Sequence, residues 1–392
     1  MNVFNKATTV AETKYVHDKL QGEIDIIAGV VKVESWSDVQ KIVRAGMASK
    51  IFSIGDQLTC QRDGIDLVWD IIGIDHDTPA DPQFTHSMTL QLHDCFPTTI
   101  QFDEKEAFYY AETAIPAGTY HFKIDPTAYT SDNTFKDTGY QFTLTQAVPA
   151  GGQLTFPWAL GTQASTAKVS SYESASATTA IESSVIVTSG TGGQGLGTLV
   201  MAGDFSNNLN AIQRFRYGSN NYKESAIRQW INSDKAAGSV WTPQTKFDRP
   251  PTWAATADGF MYGMDTDFLA VLGKTHIVVS HNRTVDGGGY DEMNDYFFLL
   301  SRREVYMGDE VGDVIEGEPY PYYSDYSDLS AHGTGADSNR IKYRNGGAAL
   351  NWWNRTPFIS DPCDVRTVAT TGSMIYKGAY NSDGVAPACN II

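Results

Sequence analysis

Two stretches near the end of the chain constrain its fold most: Gly346-Gly347-Ala348-Ala349-Leu350-Asn351-Trp352-Trp353-Asn354-Arg355-Thr356-Pro357, and the ending Gly384-Val385-Ala386-Pro387-Ala388-Cys389-Asn390-Ile391-Ile392. Paired tryptophans, an arginine and a proline within six residues combine a large apolar payload with a fixed charge and a fixed φ. That mixture predicts a packed knot that organises loops. Unanchored ends are usually polar, so a stretch that stays apolar to its final residue is expected to be a strand in a core.

Composition narrows the class. A chain of 392 residues can bury a substantial core, and roughly two or three domains are expected. Glycine at 35 residues, aromatics at 12% and charged residues at 19% point to a β-rich, loop-rich protein. A formal charge of −17 excludes nucleic acid as a partner, because phosphate binding needs clustered Lys and Arg. No apolar run is long enough for a membrane-spanning helix, and Met1–Gln21 lacks the apolar core of a signal peptide. Cys60, Cys95, Cys363 and Cys389 show no zinc spacing. Buried free thiols are the expectation, with a Cys363–Cys389 bridge as the competitor.

Val10, Thr13, His17, Leu20, Ile24, Ile27 and Val31 alternate at three- and four-residue steps, the seam of a coiled coil. Residues 1–48 are therefore expected to be a helical anchor that oligomerises, as a homotrimer. Within them a second helix is capped by Ser35 or Ser37 and ended by Gly46. From Ile51 the period becomes that of a strand. Ile51–Cys60 and Leu67–Ile74 suggest a hairpin around Arg62-Asp63-Gly64, and Ser87–His93 adds a further strand. Residues 97–205 look like an inserted β-sandwich-like domain, with an internal echo between Ala114–Phe122 and Ala147–Phe156 and a Ser/Thr/Gly-rich stretch after it. Helices are expected over Tyr222–Ile231 and Gly263–Leu272, and a buried strand over Asp295–Ser301.

Taken in order, four pieces resemble a domain-of-unknown-function family common in phage and prophage proteins of Gram-positive gut bacteria. They are Phe52–Asp56 with Trp69–Gly73; Ser225–Asn232; Phe297–Ser301; and Trp352–Pro357 with the Gly384–Cys389 ending. The resemblance implies an α+β fold of the C-type-lectin and formylglycine-generating-enzyme kind over 49–96 and 206–392. Members more often carry Leu-Arg-Ser-Pro after the paired Trp, so Asn354 and Thr356 are departures. The resemblance further implies a virion-surface structural protein, a capsid decoration, head fibre or tail adhesin. Its partners would be other virion proteins and a host glycan or protein, without membrane insertion.

Several residues bear on chemistry. Tyr320, Tyr322, Tyr323 and Tyr326 lie among Pro, Ser and Asp, the composition of adaptable binding loops. They and Asn354 are the candidate ligand contacts, against the alternative that the rings pack the loop onto its own domain. Trp69, Trp230, Trp352, Trp353 and Arg355 are expected to be structural, with Arg355 paired to a carboxylate. Asp286–Asp295 gathers oxygen donors that calcium could use, although such clusters are usually turns. No catalytic residue, resident metal or cofactor is assigned. His276 and His281 sit five apart on a strand and face opposite ways. The alternative function is a virion-associated carbohydrate-active enzyme, using a pair such as Glu104 and Glu106 or Asp265 and Asp267.

Overall fold

The computed structural model describes residues 33–104, 147, 219–244, 250–281, 288–310, 314–323, 338–344, 347–359 and 364–392, together with strands between 107 and 217. The expected coiled-coil seam, Tyr326 and Cys363 lie outside the described residues. The architecture is mixed α/β and mostly strand, with few helices and a curled half-barrel sheet.

Helix α1 (Trp36–Arg44) starts where expected, with the Ser35 hydroxyl accepting from the Asp38 amide, and buries Val39, Ile42 and Val43. A one-turn helix α2 (Ala48–Ile51) follows, which delays the first strand past its expected start. Strands β1 (Gln57–Arg62) and β2 (Ile65–Ile74) form the expected hairpin. Its two-residue turn has positive φ at Asp63 (50°) and Gly64 (78°), the backbone that suits Asp-Gly in a tight hairpin. Strand β3 (Met88–Leu92) pairs with β2, and β4 (Ile100–Gln101) leads to the insertion.

The insertion carries β5 (Ala107–Ala111), β6 (Gly118–Ile124), β7 (Lys136–Leu144), β8 (Gln153–Thr155), β9 (Ser165–Ser171), β10 (Ile181–Val185), β11 (Gly197–Met201) and β12 (Ile212–Tyr217). They form one eight-stranded sheet in the order β11-β6-β7-β10-β9-β8-β5-β12. Because β12 pairs with β5, this sheet runs past residue 205, the boundary expected from composition.

After the insertion come α3 (Ala226–Ile231), α4 (Thr266–Leu269), β13 (Leu272–Gly273), the hairpin β14 (Thr275–Ser280) with β15 (Tyr290–Asp295), and β16 (Phe297–Phe298). The remaining strands are β17 (Lys342–Tyr343), β18 (Ala349–Leu350), β19 (Trp352–Pro357), β20 (Asp364–Val368), β21 (Met374–Gly378), β22 (Ser382–Asp383) and β23 (Ala388–Ile391). The expected helix over Gly263–Leu272 is only four residues long, with Asp265 as its cap.

The C-terminal stretch is a core strand, as its composition requires. β23 pairs with β3 on one side and with β13 and β16 on the other. The Gln40 side chain of α1 donates to the Ile392 carbonyl at 2.7 Å, so the first helix clamps the last strand.

Cross-strand partners share a face of a sheet, so the registers divide this sheet into two unlike sides. Trp69, Leu92, Ile71, Leu90 and Cys389 lie on an apolar side. Trp69 meets Phe260, Phe268 and Phe297 there, with ring centroids 6.4, 5.3 and 5.9 Å away. Asp70, Gln91, Thr89 and Asn390 lie on the other side, which is polar and equally buried. Buried polar atoms must find partners, and the partners on this second face define the site.

Candidate functional site

Among the described residues between β16 and β19, a turn, Pro321–Tyr323, lies on the polar face. Three tyrosine hydroxyls from this turn donate downward. Tyr320 reaches both oxygens of Asp77 at 2.9 and 2.8 Å, Tyr322 reaches Asp70 at 2.9 Å, and Tyr323 reaches Gln91. Tyr320 and Tyr323 are fully buried and Tyr322 is partly so. The display role expected for these rings is corrected for the two buried ones: they staple the loop to the sheet.

Beneath the same turn lies a second polar cluster. Arg355 grips Glu304 with two bonds of 2.6 and 2.7 Å, and donates to the carbonyls of Leu299 at 2.8 Å and Glu316 at 3.2 Å. Burial works against the Arg355 charge, but Glu304 outweighs it and holds the guanidinium more basic than usual. The Glu316 carboxylate accepts from Ser280 N and Oγ at 2.8 and 2.9 Å and from the Thr356 hydroxyl. Gly317 has φ +85°, and a Cβ there would meet Glu304 Oε1 at 2.2 Å, so the close approach requires glycine.

Two aspartates on the polar face each hold a histidine. Asp77 accepts from His76 Nδ1 (3.0 Å), Thr89 Oγ1 (2.7 Å), Asn390 Nδ2 (2.8 Å) and Tyr320. Burial pushes its carboxyl up, but the bond from His76 and those from Asn390 and Thr89 outweigh that and hold it below the usual range. His76 Nε2 faces the Pro319 carbonyl at 3.2 Å, and the ring stacks on Tyr320 at 4.1 Å. A carboxylate at one nitrogen and a carbonyl at the other both need a proton, so both nitrogens donate. Burial pulls the His76 pKa down, but Asp77 and Pro319 raise it overall.

Asp70 is also buried. It accepts from Tyr322, from Gln57 Nε2 at 2.9 Å and from His93 Nδ1, which lies 2.9 Å from each carboxylate oxygen. The His93 side chain is 45% exposed. No described residue bonds its Nε2, and His93 borders a small pocket lined also by Ile65, Asp66, Val68, Asp94 and Pro97. Nearby, Lys342 is buried and donates to the carbonyls of Leu92 (2.6 Å) and His93 (2.9 Å), which fixes the backbone that carries His93. Sequence inspection missed this aspartate–histidine pair. The available signal was a lone carboxylate inside the apolar run Val68-Trp69-Asp70-Ile71-Ile72, which must have a partner.

The other expected residues fall as follows. Trp69, Trp230, Trp352 and Trp353 are fully buried, and each indole N–H is satisfied: by Cys60 Sγ, Asp258 O, Arg340 O and Ile100 O. Asn354, a candidate ligand contact, is fully buried, and neither amide atom has a partner among the described residues. It cannot meet a ligand at the surface; it occupies a position where the resembling family more often has leucine. In the acidic run, Asp291 pairs with Lys223 (2.8 Å) and lies 2.7 Å from His281 Nε2, and Asp295 pairs with Arg228 (2.7 Å), so these carboxylates are committed to protein partners. Among the described residues no group of three His, Cys, Asp or Glu could hold a metal. Cys60, Cys95 and Cys389 are free and buried, and Cys363, the other half of the competing bridge, lies outside the described residues. Burial pushes the Cys60 and Cys95 thiols up to about 12.

The model of a family described as a domain of unknown function, DUF6273, matches residues 197–392, half of the chain. The chain belongs to the DUF6273 family. The matched DUF6273 region contains the Arg355–Glu304 pair, the stapling tyrosines and β23; Asp70 on β2, Asp77 after β2 and His93 after β3 lie before it, and β23 of the matched part pairs with β3. No curated protein and no solved structure matches the chain.

Proposed function

We propose that this chain is a non-enzymatic structural protein of a phage virion that presents a lectin-like domain at the particle surface and contacts a host-surface glycan or protein. One observation carries the reading: the turn at Pro321–Tyr323 is fastened to the sheet by Tyr320, Tyr322 and Tyr323 and braced from below by Arg355 and Glu304. A stiff base under irregular loops is how binding loops are held ready at low entropic cost. Asp70 and Asp77 on the polar face take part in this fastening, and the Asp265 side chain caps a helix, which supports a structural reading of these carboxylates. Oligomerisation as a homotrimer through residues 1–31 would multiply weak single-site binding.

The test pairs binding with turnover. The protein is applied to an array of bacterial surface polysaccharides, and reducing-sugar release from the same polymers is measured. Binding without release is expected. Release that a single Asp→Asn or Glu→Gln change abolishes would replace this reading with a carbohydrate-active enzyme.

A further inference from the structure

The two aspartate–histidine pairs supply an internal control. Around Asp77 every polar atom of the histidine is used: Nδ1 by the carboxylate, Nε2 by Pro319, and the ring face by Tyr320. Such a cluster is a structural joint. Around Asp70 the first half of the arrangement is repeated, with the carboxylate at Nδ1 and a tyrosine hydroxyl from the same turn. The second half is missing: the ring is half exposed, its Nε2 has no partner among the described residues, and His93 lines a pocket. A buried carboxylate behind a histidine fixes ring orientation and places the proton on the inner nitrogen, leaving the outer lone pair for something else.

From this difference we infer that the Asp70–His93 pair and the adjoining pocket bind the edge of a carbohydrate, with His93 Nε2 accepting a hydrogen bond from a sugar hydroxyl. The inference rests on the glycan-contact reading above and names a site for it. The pocket is lined by His93 and by Asp66, whose carboxylate accepts from Gln61 through one oxygen, beside the apolar residues Ile65, Val68 and Pro97. Acceptors beside apolar carbon suit a ligand that carries hydroxyl donors on one edge and C–H groups on its face. A formal charge of −17 disfavours an anionic ligand. A metal lacks enough ligands among the described residues. The pocket's Cys95 is a buried, protonated thiol, so it supplies no nucleophile, and binding fits better than catalysis. Asp70 is a positioning residue here, since it acts through His93.

The test uses the full chain and His93→Asn. Asparagine puts its amide nitrogen near the place of Nδ1, so Asp70 keeps a donor while the outer nitrogen disappears. Wild type and variant are compared on the polysaccharide array, with thermal unfolding as the folding check. In parallel, the ring signals of wild-type His93 are followed by NMR while the methyl glycoside of the terminal sugar of a bound polymer is added. Expected are binding at least tenfold weaker in the variant, an unfolding temperature close to wild type, and a shift of the His93 signals. Equal binding by both proteins, or His93 signals that stay fixed at saturation, overturns the site and leaves the display reading standing. Failure of the wild type to bind any polymer overturns the site and removes glycan as the displayed loops' ligand.

Discussion

Asp70 and Asp77 lie one strand-length apart, and each holds one histidine through Nδ1 and one tyrosine hydroxyl from the turn at Tyr320–Tyr323. They differ in what surrounds the outer nitrogen. His76 is closed in by Pro319 and Tyr320, whereas His93 opens on a pocket. The difference shows that a buried aspartate–histidine pair is not by itself a functional signature. What separates a joint from a candidate site is whether the second nitrogen still has work inside the protein.

The largest effect should come from removing the brace beneath the closed cluster. Arg355→Ala leaves Glu304 buried without its cation, and such losses cost about 3–5 kcal/mol. Urea unfolding should register this as a lower midpoint, and the backbone bond from Tyr320 N to Glu304 O implies that the tyrosine turn loosens with it. Next come the two hydroxyls. Tyr320→Phe withdraws a donor from a fully enclosed carboxylate and should cost about 1–3 kcal/mol. Tyr322→Phe at the open cluster should cost less, because the partly exposed surroundings of Asp70 admit water in its place. Equal losses would erase the distinction between the two clusters.

A third buried polar group sharpens the contrast, since neither amide atom of Asn354 has a partner among the described residues. Asn354→Leu is close in volume and removes two unpaired polar atoms, so it should stabilise the protein by roughly 1 kcal/mol in the same unfolding assay. The smallest effect is the pH response of the closed pair. Because the folded His76 pKa is raised, its stabilisation is fully present below the ordinary value of 6.5 and fades as pH rises past the folded one. The lowered Asp77 pKa works in the opposite sense: its contribution holds above 3.8 and is lost as pH falls further. The unfolding temperature of wild type relative to His76→Gln should therefore shrink towards alkaline pH.

Local chemistry was legible in the sequence where one or two residues decide the backbone. Asp63-Gly64 announced its hairpin, Ser35 its helix cap, and the apolar ending its place in a core strand. The carboxylate owed to Arg355 was also expected, though not that it would be Glu304. Composition could not decide the tyrosine turn, because Tyr among Pro, Ser and Asp has one composition for two fates. Its hydroxyls are staples only because Asp77, Asp70 and Gln91 lie opposite, more than two hundred residues earlier in the chain. Helix α4 fell short of the apolar spacing around it because the chain enters strand β13 at Leu272 to pair with β23. The His93 pocket was invisible for the same reason as the staples: it arises from strand register, and a sequence period does not specify which strands are neighbours.

Selective acylation by diethyl pyrocarbonate, mapped by mass spectrometry on the native protein, tests the closed-versus-open distinction most directly. The account predicts that His93 is modified rapidly while His76 reacts only after unfolding. Protection of His93, or modification of His76 at a matching rate in the folded state, would contradict it.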